Sequence, residues 1–206
     1  MCGRAAMRTM EVNTSNDEEV IPSDDGTTTT ITKPSQPDIG VILSSNQPEL
    51  YMIITNISKR ANVKSLVLSG LAFGCRGFLV VGQKNFNFSS AFGAGDTSNA
   101  ILKLVHRFDS LEQCVQFVQH SLHAQICGIE IIDSALNVDT EPFTTSICIM
   151  VGNEGMGLSA KQMKHCDYFI KIPQYGGGTA SLNVSVAASI VMQRFFQWRI
   201  RQCRED

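Results

Sequence analysis

No apolar run in this 206-residue sequence reaches the roughly 18 residues that a membrane-spanning helix needs, and its start lacks the apolar centre of a secretory signal. Disulfide and zinc frameworks are missing as well. Seven cysteines are scattered without a single C-x-x-C pair, and the four histidines form neither H-x-x-x-H nor HExxH. Buried, reduced thiols in a reducing compartment account for that pattern, so no metal and no membrane partner are expected. The expected location is intracellular, the cytoplasm first, with nucleus and organelle left open. Strong charge is absent too: the formal net charge is −2, against an apolar content of 43% that is ample for one globular core.

The acidity that exists is unevenly placed. Residues 1–48 carry three basic and seven acidic side chains, a balance of −4, whereas residues 49–206 carry a balance of +2. The first stretch also holds four of the six prolines and the run Thr27-Thr28-Thr29-Thr30. It offers too little apolar surface to offset its ordering entropy and reads as a disordered acidic tail over 1–48, followed by one domain over 49–206.

Within that domain, short apolar runs alternate with amphipathic ones. Residues 51–55, 77–82, 125–132, 146–152 and 168–172 are rich in β-branched and aromatic side chains and bounded by turn formers, which predicts buried strands. Helices are predicted over 59–73, 97–105, 110–123, 159–165 and 181–200. Such alternation specifies an α/β fold with a mostly parallel sheet covered by helices on both faces. Ligands of open α/β sheets lie beyond the carboxyl ends of the strands, which directs attention to the loops.

Two loops stand out. After the run 146–152 comes Gly152-Asn153-Glu154-Gly155-Met156-Gly157-Leu158-Ser159, in which the glycines permit close backbone approach and Ser159 suits a helix N-cap. One strand later comes Ile172-Pro173-Gln174-Tyr175-Gly176-Gly177-Gly178-Thr179-Ala180-Ser181-Leu182-Asn183. Its glycines suggest a phosphate cradle, but no lysine follows them, and the loop lies far from the first strand where a dinucleotide fingerprint belongs. Taken singly, each loop reads as a turn and a cap.

Taken as a pair, "VGNEGMGLS" and "IPQYGGGTASLNVSVAAS" resemble the second and third motifs of the SpoU (TrmH-like) branch of the SPOUT RNA methyltransferases. The resemblance covers roughly residues 50–200. It implies a C-terminal deep trefoil knot, an exception to the rule against threaded chains. It further implies a homodimer that binds S-adenosyl-L-methionine through the knot loops and methylates a ribose 2'-hydroxyl of tRNA or rRNA. Carried over by motif, the cofactor walls would be Val151, Gly152, Asn153 and Gly155, then Ile172, Pro173 and Gln174, then Ser181 and Leu182. Asn62, Glu154, Ser181 and Asn183 would be the catalytic set. A neutral, glycine-walled slot suits an adenosyl sulfonium better than a lysine-bearing loop would.

The family's remaining motif places an arginine six residues after an asparagine on the first helix. Asn62 matches, but the arginine position is Leu68. Three accounts follow: Arg60 or Lys64, one or two turns away on the same face, contacts RNA instead; catalysis rests on positioning; or the chain is a non-catalytic homologue that binds RNA or an unidentified protein partner.

Overall fold

The structure, a computed structural model, describes residues 18–22, 28–32, 47–82, 87–92, 96–176 and 181–205. The chain divides into two units, Met1–Val41 and Ile42–Asp206. Most of the stretch read as a disordered tail lies outside the described residues. Within it, β1 (Glu18–Pro22) pairs antiparallel with β2 (Thr28–Thr32), Glu18 opposite Thr32 and Pro22 opposite Thr28.

The second unit carries all the remaining elements. In chain order these are β3 (Leu50–Thr55), α1 (Arg60–Ala72), β4 (Gly77–Val81), α2 (Phe88–Phe92), α3 (Asp96–Leu104), β5 (Val105–Phe108) and α4 (Leu111–Phe117). A π-helical turn, Val118–Leu122, extends α4 and stops at His123, whose left-handed conformation (φ 48°) turns the chain into β6 (Gln125–Ile129). Then follow β7 (Leu136–Asn137), β8 (Ile147–Met150), α5 (Ala160–Met163), β9 (Tyr168–Lys171) and α6 (Val184–Glu205).

Seven strands form one sheet in the order β5-β4-β3-β8-β6-β9-β7, and every neighbouring pair is parallel. The expected helix-covered parallel sheet is what the chain adopts. Its central strands are apolar at successive positions because both faces are covered: all residues of β3, β4 and β8 are buried. Met52, Ile54, Phe78, Val80 and Ile149 point to one face, where Val63, Leu66 and Val67 of α1 meet Ala188, Val191, Met192 and Phe195 of α6. Tyr51, Ile53, Leu79, Cys148 and Met150 point to the other, under Leu111, Cys114 and Val115 of α4.

The boundaries moved where local chemistry intervened. The helix expected from residue 181 begins at Val184, because the Asn183 Oδ1 accepts the Ser185 N–H at 2.9 Å and caps it. The strand expected to 152 ends at Met150, freeing the next residues to form the site loop. α5 begins as expected behind Ser159, whose Oγ accepts the Gln162 N–H at 3.3 Å in a capping box. Residues 177–180, in the C-terminal half for which the knot is implied, lie outside the described residues.

Candidate active site

A cavity of about 300 Å³ opens at the carboxyl ends of β6, β8 and β9. Its walls are the segments Ile129–Ile131, Val151–Gly157 and Ile170–Ile172, with Gln174, Ser181, Leu182, Val184 and Ala187 closing it from the side of α6. The volume lies at the lower end of the small-molecule range.

The loop after β8 is folded tightly on itself. The Asn153 N–H donates to the Gly157 carbonyl at 2.9 Å and the Gly157 N–H returns to the Asn153 carbonyl at 3.0 Å, while the Asn153 Oδ1 accepts the Gly155 N–H at 3.0 Å. Two glycines are required by this closure. A Cβ on Gly152 would stand 2.1 Å from the Gly157 carbonyl carbon, and Gly157 adopts φ 67° with its absent Cβ only 2.5 Å from the Glu130 Oε2. The glycines therefore set the shape of this wall by letting the loop close on itself and on Glu130.

Glu154 sits in that loop but faces α1. Its Oε1 accepts the Lys59 N–H at 2.9 Å and the Asn62 Nδ2 at 2.9 Å, and its Oε2 accepts the Ser58 N–H at 3.1 Å. Burial alone would raise its pKa, but these hydrogen bonds outweigh it and bring the carboxyl down to about 2. From Asn62 the network continues: the Asn62 Oδ1 accepts the Asn183 Nδ2 at 3.1 Å, and the Asn183 Oδ1 takes the Ser185 Oγ at 2.6 Å. One carboxylate thus ties the site loop to the start of α1, and two amides carry the tie to the start of α6. The amide orientations are set by having one acceptor and one donor at each end.

The sequence-named residues distribute as follows. Val151, Gly152, Asn153, Glu154, Gly155, Ile172, Gln174, Ser181 and Leu182 all line the cavity, and Pro173 is not among its lining residues. Asn62 is buried and, with Asn183, stands behind the wall in the Glu154 network rather than on the cavity surface. Arg60 and Lys64 are exposed on α1. Leu68 is 44% exposed farther along that helix, where the neighbouring Ser69 hydroxyl meets the Ser189 hydroxyl at 2.9 Å.

Sequence reasoning passed over Glu130 and Lys171, which line the cavity from the ends of β6 and β9. The available signal was a charged residue closing an apolar strand run, "QICGIE" and "YFIK". No cysteine is among the residues lining the cavity, and burial raises the thiol pKa of Cys75, Cys114 and Cys166 to about 12.

The chain spans about half the length of the curated relatives it matches. It is similar, at 31% identity over 76% of its own residues and 49% of the other chain, to an "uncharacterized tRNA/rRNA methyltransferase" of Mycolicibacterium vanbaalenii. Among solved structures it is similar to the SpoU methyltransferase AviRb of Streptomyces viridochromogenes in complex with AdoMet (TM-score 0.63, 21% identity, 84% of this chain and 65% of that one). It is also similar to a TrmH/SpoU tRNA modifying enzyme of A. aeolicus (TM-score 0.62, 23% identity, 78% and 80%). At those identities the likeness is one of fold. The model of the SpoU rRNA Methylase family matches residues 49–193, which takes in both loops, the cavity and the Asn62–Glu154–Asn183 network, and the chain belongs to that family.

Proposed function

We propose that this chain binds S-adenosyl-L-methionine in the cavity and transfers its methyl group to a ribose 2'-hydroxyl of tRNA or rRNA, acting as a knotted homodimer. The observation that carries the reading is a strand-end slot of mixed polarity whose loop is tied through Glu154 to a polar network behind its wall. Ile129, Val151, Ile170, Ile172 and Leu182 supply apolar surface for a flat ring, and Gly152 and Gly157 let the loop that forms one wall close tightly.

When bound, the cofactor supplies an electrophilic methyl on a sulfonium. The protein's part is positioning. Glu154, with its pKa near 2 and three donors within 3.1 Å, is a poor base and serves as a clamp holding α1 against the site loop. Asn62 and Asn183 hold the start of α6, and with it Ser181, the hydroxyl that lines the cavity from that side. Ser181 is the side chain we assign to meet the acceptor hydroxyl. Tyr175, 90% exposed beside Gln174, offers a ring on which an unpaired base can stack.

Calorimetric titration with S-adenosylhomocysteine, followed by transfer of labelled methyl to total tRNA and rRNA, tests both halves of the reading. Product resistant to alkaline cleavage identifies 2'-O-methylation. Failure to bind the ligand refutes the proposal outright.

Leu68 motivates a second reading, in which the chain binds cofactor and RNA but does not turn over. Methyl transfer by Leu68→Arg with none by the natural chain supports it; robust transfer by the natural chain removes it.

A further inference from the structure

The site loop is held by two carboxylates, and the second has no role in the reading above. Glu130 is the first residue beyond β6, and its N–H donates to the Ile170 carbonyl at 3.1 Å, which fixes it beside the end of β9. Its Oε2 accepts the Leu158 N–H at 2.8 Å and its Oε1 accepts the Ile131 N–H at 3.1 Å. Gly157 presses against it so closely that any side chain there would strike the Oε2. Whereas Glu154 turns towards α1, Glu130 holds the other end of the loop, and its side chain is part of the cavity wall.

Those two N–H donors leave acceptor capacity unused. An ionised carboxylate offers about four lone-pair sites on its two oxygens. A pocket carboxylate fixed at a strand end, with acceptor sites to spare, suits a ligand hydroxyl. Sheets that bind dinucleotides use a strand-end acidic residue for the ribose in the same manner.

The layout of the cavity identifies which part of an adenosyl ligand lies there. Apolar side chains from Ile129, Val151, Ile170, Ile172 and Leu182 favour the base, and the assignment of Ser181 to the acceptor hydroxyl puts the reacting sulfonium on its side. Ribose joins the two. We propose that Glu130 accepts a hydrogen bond from a ribose hydroxyl of the adenosyl ligand, and so makes the site selective for ribo- over deoxyribo-ligands. This rests on the cavity being the S-adenosylmethionine site.

The test is calorimetry on the full chain with S-adenosylhomocysteine and with its 2'-deoxy and 3'-deoxy counterparts. The natural chain binds the parent at least about tenfold tighter than one of the two deoxy ligands, the size expected for a hydrogen bond to a charged acceptor. Glu130→Gln keeps an oxygen for the Leu158 N–H, weakens the parent by about tenfold and brings the parent and deoxy affinities to within roughly a factor of two of each other. Equal loss for all three ligands in Glu130→Gln overturns the proposal, because a mere loop clamp acts that way. Equal binding of all three by the natural chain overturns it without any variant, so misfolding of Glu130→Gln does not protect it. Absence of all binding by the natural chain is a different result, which removes the cofactor reading and this proposal together.

Discussion

Gly157 is constrained twice, by a left-handed backbone and by the Glu130 carboxylate against its α-carbon. Gly157→Ala therefore costs about 1–2 kcal/mol from backbone strain alone. The displacement falls on the cavity wall, so loss of S-adenosylhomocysteine affinity in calorimetry should exceed what the fall in thermal stability explains. Glu154 yields a pH prediction. Its folded pKa of about 2 lies below the ordinary carboxylate value of 4.5, so its stabilisation is fully present above 4.5 and disappears as pH falls through 2. A change of pH between 6 and 8 leaves this clamp intact. Glu154→Gln at pH 7 lets one oxygen keep the Lys59 and Asn62 donors but turns the other acceptor into a donor facing the Ser58 N–H, and costs roughly 1 kcal/mol, with much of the loss softened by solvent access. Urea titration of the variant at pH 7 and pH 3 checks both statements, since the gap to the natural chain narrows at the lower pH. Both loops were legible because glycine and asparagine mark special backbone. Glu130 was not, since a lone acid at the end of an apolar run is an ordinary way for a strand to meet water.

Among the elements, α6 bears most on the site, because its first turn is the side of the cavity away from the glycines. Its middle is anchored by aromatic packing: the Phe195 ring meets Phe143 edge-on at 5.3 Å and lies 5.4 Å from Trp198. Truncating that ring, as Phe195→Ala, costs about 3–5 kcal/mol in equilibrium unfolding. Its continuous apolar surface made the helix legible, as did the uninterrupted runs of β3, β4 and β8. The elements that escaped notice are at the margins. β5, Val105–Phe108, follows α3 with no intervening turn residue and pairs only with β4 at the sheet edge, so half its pattern is exposed and its first residue continues the helical pattern predicted over 97–105. β7 has two residues, too few for any periodicity to register. Such short pieces are defined by the partner they pair with, which a local pattern does not contain.

For the whole molecule, composition set the class and the sheet confirmed it, but the division of the chain carries its own expectation. Met1–Val41 and Ile42–Asp206 are separate units, and every residue lining the cavity belongs to the second. Removal of residues 1–41 should leave the thermal midpoint and the affinity for S-adenosylhomocysteine unchanged; a clear fall in either shows that the first unit supports the site. The same removal takes away a net negative charge carried by residues 1–48, so RNA affinity at low salt should rise, with a difference that salt diminishes.

β8 pairs with β3 on one side and β6 on the other, so that Ile147 comes to lie between Leu50, made far earlier, and Gln125, made shortly before it. A chain emerging from the ribosome completes β3, β4 and β6 before Ile147 exists to fill the gap between them. Two apolar strand edges stay open through that interval, and a nascent or prematurely stopped chain ending near residue 145 is left with an unfilled slot in the middle of its sheet. The same late segment that fills the slot also completes the cavity, whose wall from Ile129 to Ile131 waits for the loops after β8 and β9.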